Sequence, residues 1–145
     1  METIGQFQSW DCNLEAAAHE ELSKCAPITK VGTYGFNDGT LQTDTKNLLN
    51  TWWNEVKATA WPANQKYTKK FRHFAPMVYD KSKGVGCTYT LCNDEVKMVC
   101  AYDQDIVTQK PTVEMYVKSA GDTCDGCKAT CTYFLCKEPY TPGEI

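Results

Sequence analysis

The apolar positions change their period several times along this chain, and each change marks an element. Leu14, Ala18, Leu22 and Cys25 recur at helical spacing. They predict a helix over Asp11–Cys25, capped by Asp11 or Asn13 and closed off by Pro27, with Cys25 pointing into the core at its end. Residues 30–43, rich in Gly, Thr, Asn and Asp, read as a loop. Leu48, Trp52 and Val56, widened by Leu49 and Trp53, predict a second helix from Thr43 or Asp44 to about Ala60. Glu55 falls at the edge of that stripe, a position that suits a solvated carboxylate or one lining a cleft. Trp61 to Tyr79 is aromatic and irregular, with a short helix expected over Phe74–Asp80, whose first turn tolerates Pro76.

The period then switches to two. Val85–Cys92 and Glu95–Tyr102 alternate on either side of Asn93-Asp94, as the strands of a hairpin with a two-residue loop do. In that register Cys87 stands opposite Cys100 in a non-hydrogen-bonded pair, where Cα atoms lie about 4.5 Å apart, within disulfide reach. Val85, Tyr89, Leu91, Val96, Met98 and Tyr102 share that face and read as a core face. Cys92 points the other way and needs another partner. Asp103–Pro111 reads as a connection and Val113–Val117 as a short extended piece. Cys124, Cys127, Cys131 and Cys136 follow in a loop-rich module with little core of its own. Two disulfides would hold it, each worth about 2–4 kcal/mol, with their pairing left open. The end from Glu138 to Ile145 is expected to fray.

Composition narrows the class. The 145 residues are 42% hydrophobic with a net charge of −3, which suits one globular domain. Nine cysteines against two histidines favour disulfides over zinc, because the intervals in the Cys124–Cys136 cluster are too short for two separated ligand pairs. That places the chain outside the cell. The basic stretch Lys66–Arg72 reads as a solvated loop, not as a nucleic-acid site, and His19, among Glu15, Glu20 and Glu21, as a solvated surface group. No apolar run is long enough for a membrane helix. Met1-Glu2-Thr3 does not open a signal peptide, so secretion would imply a removed leader or a longer precursor.

Arg72-His73-Phe74-Ala75-Pro76-Met77-Val78-Tyr79 resembles a signature of the CAP superfamily, the cysteine-rich secretory, antigen 5 and pathogenesis-related proteins. Val99-Cys100-Ala101-Tyr102 resembles its second signature, and Trp10-Asp11-Cys12-Asn13-Leu14-Glu15 and Trp52-Trp53-Asn54-Glu55 fit upstream. Gly121 to Cys136 looks like the hinge-like tail of nematode venom-allergen-like, or activation-associated secreted, proteins. The resemblance implies an α+β fold, an α-β-α sandwich with a small antiparallel sheet over residues 1–113, and a cysteine-rich tail over 114–145. It also implies pairing of Cys25 with Cys92.

The departures from the family pattern carry information of their own. The family's first helix, with its Asn-x-x-Arg pattern, has no counterpart before Trp10, so the domain is expected to be N-terminally incomplete, exposing apolar surface. Cys12 is then the odd cysteine, its partner expected in the missing segment. The family cleft holds two His and two Glu that can bind a divalent metal. Glu55 and His73 match two of these; Thr33 stands where the second Glu belongs, and no histidine lies between Cys25 and Lys30. Two ligands are too few for zinc, so neither a metal nor any other cofactor is expected.

The reading that follows is a secreted, non-enzymatic parasite factor that binds and modulates host cells or receptors, with the loop Gly32–Gln42 as a candidate contact. An extracellular sterol or fatty-acid carrier is the alternative, with Trp61, Tyr67, Phe71 and Phe74 lining the apolar site or simply packing. A hydrolase would use His73 as base and Glu55 as its orienting partner, with Ser82 the nearest serine in sequence, but no nucleophile is placed by the pattern.

Overall fold

The computed structural model describes residues 8–108, 113–117, 124, 127–132, 135–137 and 139–142. The expectations for the first seven and last three residues lie outside the described residues, as do parts of the connection before Val113 and of the tail. In chain order the elements are β1 (Ser9–Trp10), α1 (Cys12–Leu22), β2 (Gly35–Thr40), α2 (Thr45–Trp53), α3 (Glu55–Ala58), α4 (Phe74–Val78), β3 (Gly84–Cys92), β4 (Glu95–Tyr102), β5 (Cys131–Thr132) and β6 (Leu135–Cys136). Four strands form one sheet in the order β1-β3-β4-β2, with helices on both faces. This is an α+β sandwich.

The β3–β4 hairpin has the register read from the sequence, with Cys87 opposite Cys100 and Cys92 opposite Glu95. Asn93 and Asp94 both adopt left-handed backbone, φ 50° and 65°, as a two-residue turn matched to strand twist requires. A disulfide joins Cys87 to Cys100 across a Cα separation of 4.0 Å. The expected core face is only partly covered: Met98, Cys100 and Tyr102 are buried, but Tyr89 and Leu91 are 72% and 67% exposed. Strand alternation fixes which side a residue faces; it does not say how far the covering layer reaches.

α1 presents Leu14, Ala18 and Leu22 to Val99 and Ala101 on the other face. Asp11, fully buried, caps the helix by accepting from the Asn13 N–H at 2.7 Å. The helix ends at Leu22, short of the expected Cys25, which lies beyond it at φ 49° and is only partly buried. That turn aims its sulfur back over the sheet, and a disulfide joins it to Cys92. Gly86 makes the close approach possible: a Cβ there would sit 2.2 Å from the Glu15 nitrogen.

Residues 35–40 are a strand, not part of a loop. β2 pairs antiparallel with β4 along its length. Gly-Phe-Asn-Asp-Gly-Thr has little intrinsic strand preference, and its alternation is hidden because the inward positions are Gly35, Asn37 and Gly39. The strand is made by its partner. Leu48 of α2 seats against Gly39, where a Cβ would be 2.7 Å from its Cδ1. The second helix is likewise two, broken at Asn54, and the third ends at Val78 instead of Asp80. Val113–Val117 contributes a single bridge, Glu114 to Lys66.

In the tail, disulfides join Cys124 to Cys131 and Cys127 to Cys136, around the two short strands β5 and β6. The tail returns to the domain at Tyr140, whose hydroxyl donates to the Asp11 carboxylate and packs over Gly84. Cys12 is exposed and forms no disulfide.

Candidate functional site

The break at Asn54 turns the chain so that Glu55, first residue of α3, meets the N-terminal end of α4. One carboxylate oxygen accepts from the backbone N–H of His73 at 2.9 Å and of Phe74 at 2.8 Å. The other lies 2.7 Å from His73 Nδ1. The first N–H groups of a helix have no intrahelical acceptor, and a carboxylate there meets both their hydrogen-bonding need and the helix dipole. A carboxylate can only accept, so Nδ1 is the ring nitrogen that donates to Glu55. The imidazole is further fixed by stacking on Trp52, with centroids 5.8 Å apart and planes 4° from parallel.

A second polar layer lies beneath. Asn37, fully buried on β2, donates from Nδ2 to the His73 carbonyl at 2.8 Å and to the Tyr102 hydroxyl at 3.3 Å. Burial pushes the Tyr102 phenol up, so it stays neutral, although the Asn37 hydrogen bond works the other way. Arg72 donates to the Phe36 carbonyl at 2.9 Å, covers the Phe36 ring and reaches toward Asp38. It is therefore an inward-tied group and not part of a solvated loop. Asn37 and Arg72 are the residues that sequence reasoning missed; recognising Asn37 required assigning β2 as a strand.

The remaining candidates separate. Ser82 is fully buried and its hydroxyl donates to Asp103 at 2.9 Å, so it serves the turn before β3 and not His73. Tyr67, Phe71 and Phe74 are buried in one apolar cluster with Ile106, Met115 and Tyr116. Trp61 lies over them, half-exposed, with ring centroids 5.4 Å from Phe71 and 5.9 Å from Phe74. Thr33 is exposed and brings no carboxylate. Among the described residues no three His, Cys, Asp or Glu side chains gather into a metal-binding group. With only Glu55 and His73 present, and the Glu55 oxygens occupied by three N–H groups, the donor set does not fit zinc, which takes three or four protein ligands. His19 is exposed, its Nδ1 3.4 Å from Thr88 Oγ1.

Comparison with known proteins agrees with this architecture. The model of the cysteine-rich secretory protein family, CAP, matches residues 8–102. A curated relative, Ancylostoma secreted protein of Ancylostoma caninum, is 26% identical over 92% of this chain, which spans only 35% of the relative's length. Among solved structures, NaASP2 with Zn2+ superposes with a TM-score of 0.76 at 20% identity, covering 93% of this chain and 78% of that one. Hookworm Platelet Inhibitor gives 0.70 at 22% identity, covering 97% and 80%.

Proposed function

We propose that this chain, which belongs to the cysteine-rich secretory protein family, is a secreted, non-enzymatic protein that binds and modulates cells or receptors of a host. The observation that carries the non-enzymatic part is the use made of Glu55. Its carboxylate supports the backbone of α4, while the serine nearest in sequence to His73 is committed to Asp103. A general base whose nearest serine in sequence is committed elsewhere is half a mechanism. The kinship to a secreted protein of Ancylostoma, and to a structure named for platelet inhibition, supports the host-directed part. Disulfides in both the sheet and the tail suit an oxidising, extracellular setting.

The test is capture of host surface proteins by the correctly oxidised chain. Saturable capture that persists in a His73→Ala variant is the expected result. Absence of capture from any host cell type, or a hydrolytic activity abolished by His73→Ala, sinks the reading. Carriage of a sterol or fatty acid is the alternative, and the half-exposed Trp61 over Phe71 and Phe74 is the observation in its favour. Saturable sterol or fatty-acid binding with quenching of Trp61 fluorescence would turn the assignment toward it.

A further inference from the structure

The charges of this chain are segregated. Between Val56 and Tyr79 stand Lys57, Lys66, Lys69, Lys70 and Arg72, with no Asp or Glu among them, while the rest of the chain holds ten cations against its 18 carboxylates. Across the sheet, α1 carries Glu15, Glu20 and Glu21. Arg72 turns inward to Phe36 and Asn37, but the four lysines are exposed, and no ion pair among the described residues engages them.

The fold brings this basic segment together with exposed aromatic surface. Lys69 and Lys70 form a short 3₁₀ turn with Phe71, and that turn packs against α3, which carries Lys57. Trp61 lies over Phe71, and Trp53 meets Phe74 with centroids 5.1 Å apart. These indoles are 36% and 40% exposed, and no hydrogen bond among the described residues engages either N–H. Two of the bordering carboxylates are already engaged: Glu55 by α4 and Asp105 by the Val107 and Thr108 N–H groups. Glu114, opposite Lys66, is the exposed exception.

We propose that this surface binds a sulfated polysaccharide, a partner class that rests on the reading of the chain as extracellular. Lysine ammonium groups on flexible stems are point charges that adapt to spaced sulfates, and exposed indole faces offer the apolar side of a sugar ring a place to lie. At physiological salt, charges interact over only about 8 Å, so a polyanion responds to this local patch and not to the negative total. The indoles rest against Phe71, Phe74 and Tyr116. They present a surface to lie on, not the inserted apolar face that membrane docking uses.

The test uses the oxidised full chain and heparin as the probe, with affinity measured over a range of salt concentrations. Binding should fall steeply with salt. Replacing Lys57, Lys66, Lys69 and Lys70 together by Ser should weaken it at least about tenfold at physiological salt and flatten the salt dependence. The control pair Lys30→Ser and Lys137→Ser should leave it unchanged, Glu114→Gln should tighten it, and desulfated heparin should not bind. Unfolding curves matching the parent keep the lysine variant interpretable. Unchanged affinity in that variant, retained binding of desulfated heparin, or binding of phosphatidylserine vesicles in place of heparin each overturns the proposal. Host-cell capture that persists without heparin binding would remove this inference alone; heparin binding without capture of any surface protein would remove the receptor reading.

Discussion

On the α1 face of the central sheet, the helix lies so close that Gly86 has no room for a Cβ, and Leu14, Ala18, Val99 and Ala101 are wholly buried. On the opposite face the covering layer is assembled from the short helices α2, α3 and α4. It holds a polar network in which buried Asn37 and Tyr102 lie beneath the partly exposed Arg72, Glu55 and His73, and leaves Tyr89 and Leu91 in solvent. The first face is held by shape, where each methylene counts. The second depends on hydrogen bonds that satisfy one another, where the cost lies in leaving a partner unmet. A domain can thus be rigid on one side and carry its exposed aromatic and charged surface on the other.

Removing disulfides from each face should distinguish the two most strongly. Cys25–Cys92 ties the end of α1 to the hairpin across 67 residues, whereas Cys87–Cys100 closes only 13. Loop-closure entropy then predicts losses of about 4 and about 3 kcal/mol for the paired Cys→Ala variants, read from denaturant midpoints. Equal losses would mean that strain or residual structure, not loop length, governs both. Gly86→Ala comes next: overpacking against the α1 backbone should cost about 3 kcal/mol, and a loss under about 1 kcal/mol would show that α1 can slide away.

The polar face is tested by an asymmetry within one pair. Glu55→Ala orphans the N–H groups of His73 and Phe74 and should cost about 2 kcal/mol. His73→Ala, which gives up a stack and one hydrogen bond, should cost about half that. The reverse order in thermal unfolding would make the histidine, and not the α4 backbone, the reason for the carboxylate. The smallest effect concerns Asp80, which burial raises above the usual carboxylate range despite the hydrogen bond it accepts from Val117. A carboxyl with a raised folded pKa contributes its stability in acid and loses it as pH rises through that value. Asp80→Asn should therefore stabilise the protein at pH 7 by about a few tenths of a kcal/mol once screening is allowed for. That gain should vanish in acid, where the native carboxyl is protonated; an unchanged gain there contradicts the titration account.

The hairpin, its register and the helix over Leu14, Ala18 and Leu22 were legible because their periods are local and uninterrupted. So was the family, because Arg72–Tyr79, Val99–Tyr102 and the cysteines keep their order. The sequence by itself determined these elements, since alternation and helical spacing need only near neighbours. Only the tertiary structure decided that Gly35–Thr40 is a strand. It also tied Arg72 to Phe36, broke the second helix at Asn54 to turn Glu55 onto α4, and left Tyr89 and Leu91 uncovered. Each of these depends on a partner distant in sequence, whether β4 for a strand of glycines and Asn37 or the α4 N–H groups for a carboxylate, and no local pattern records what the chain will meet there.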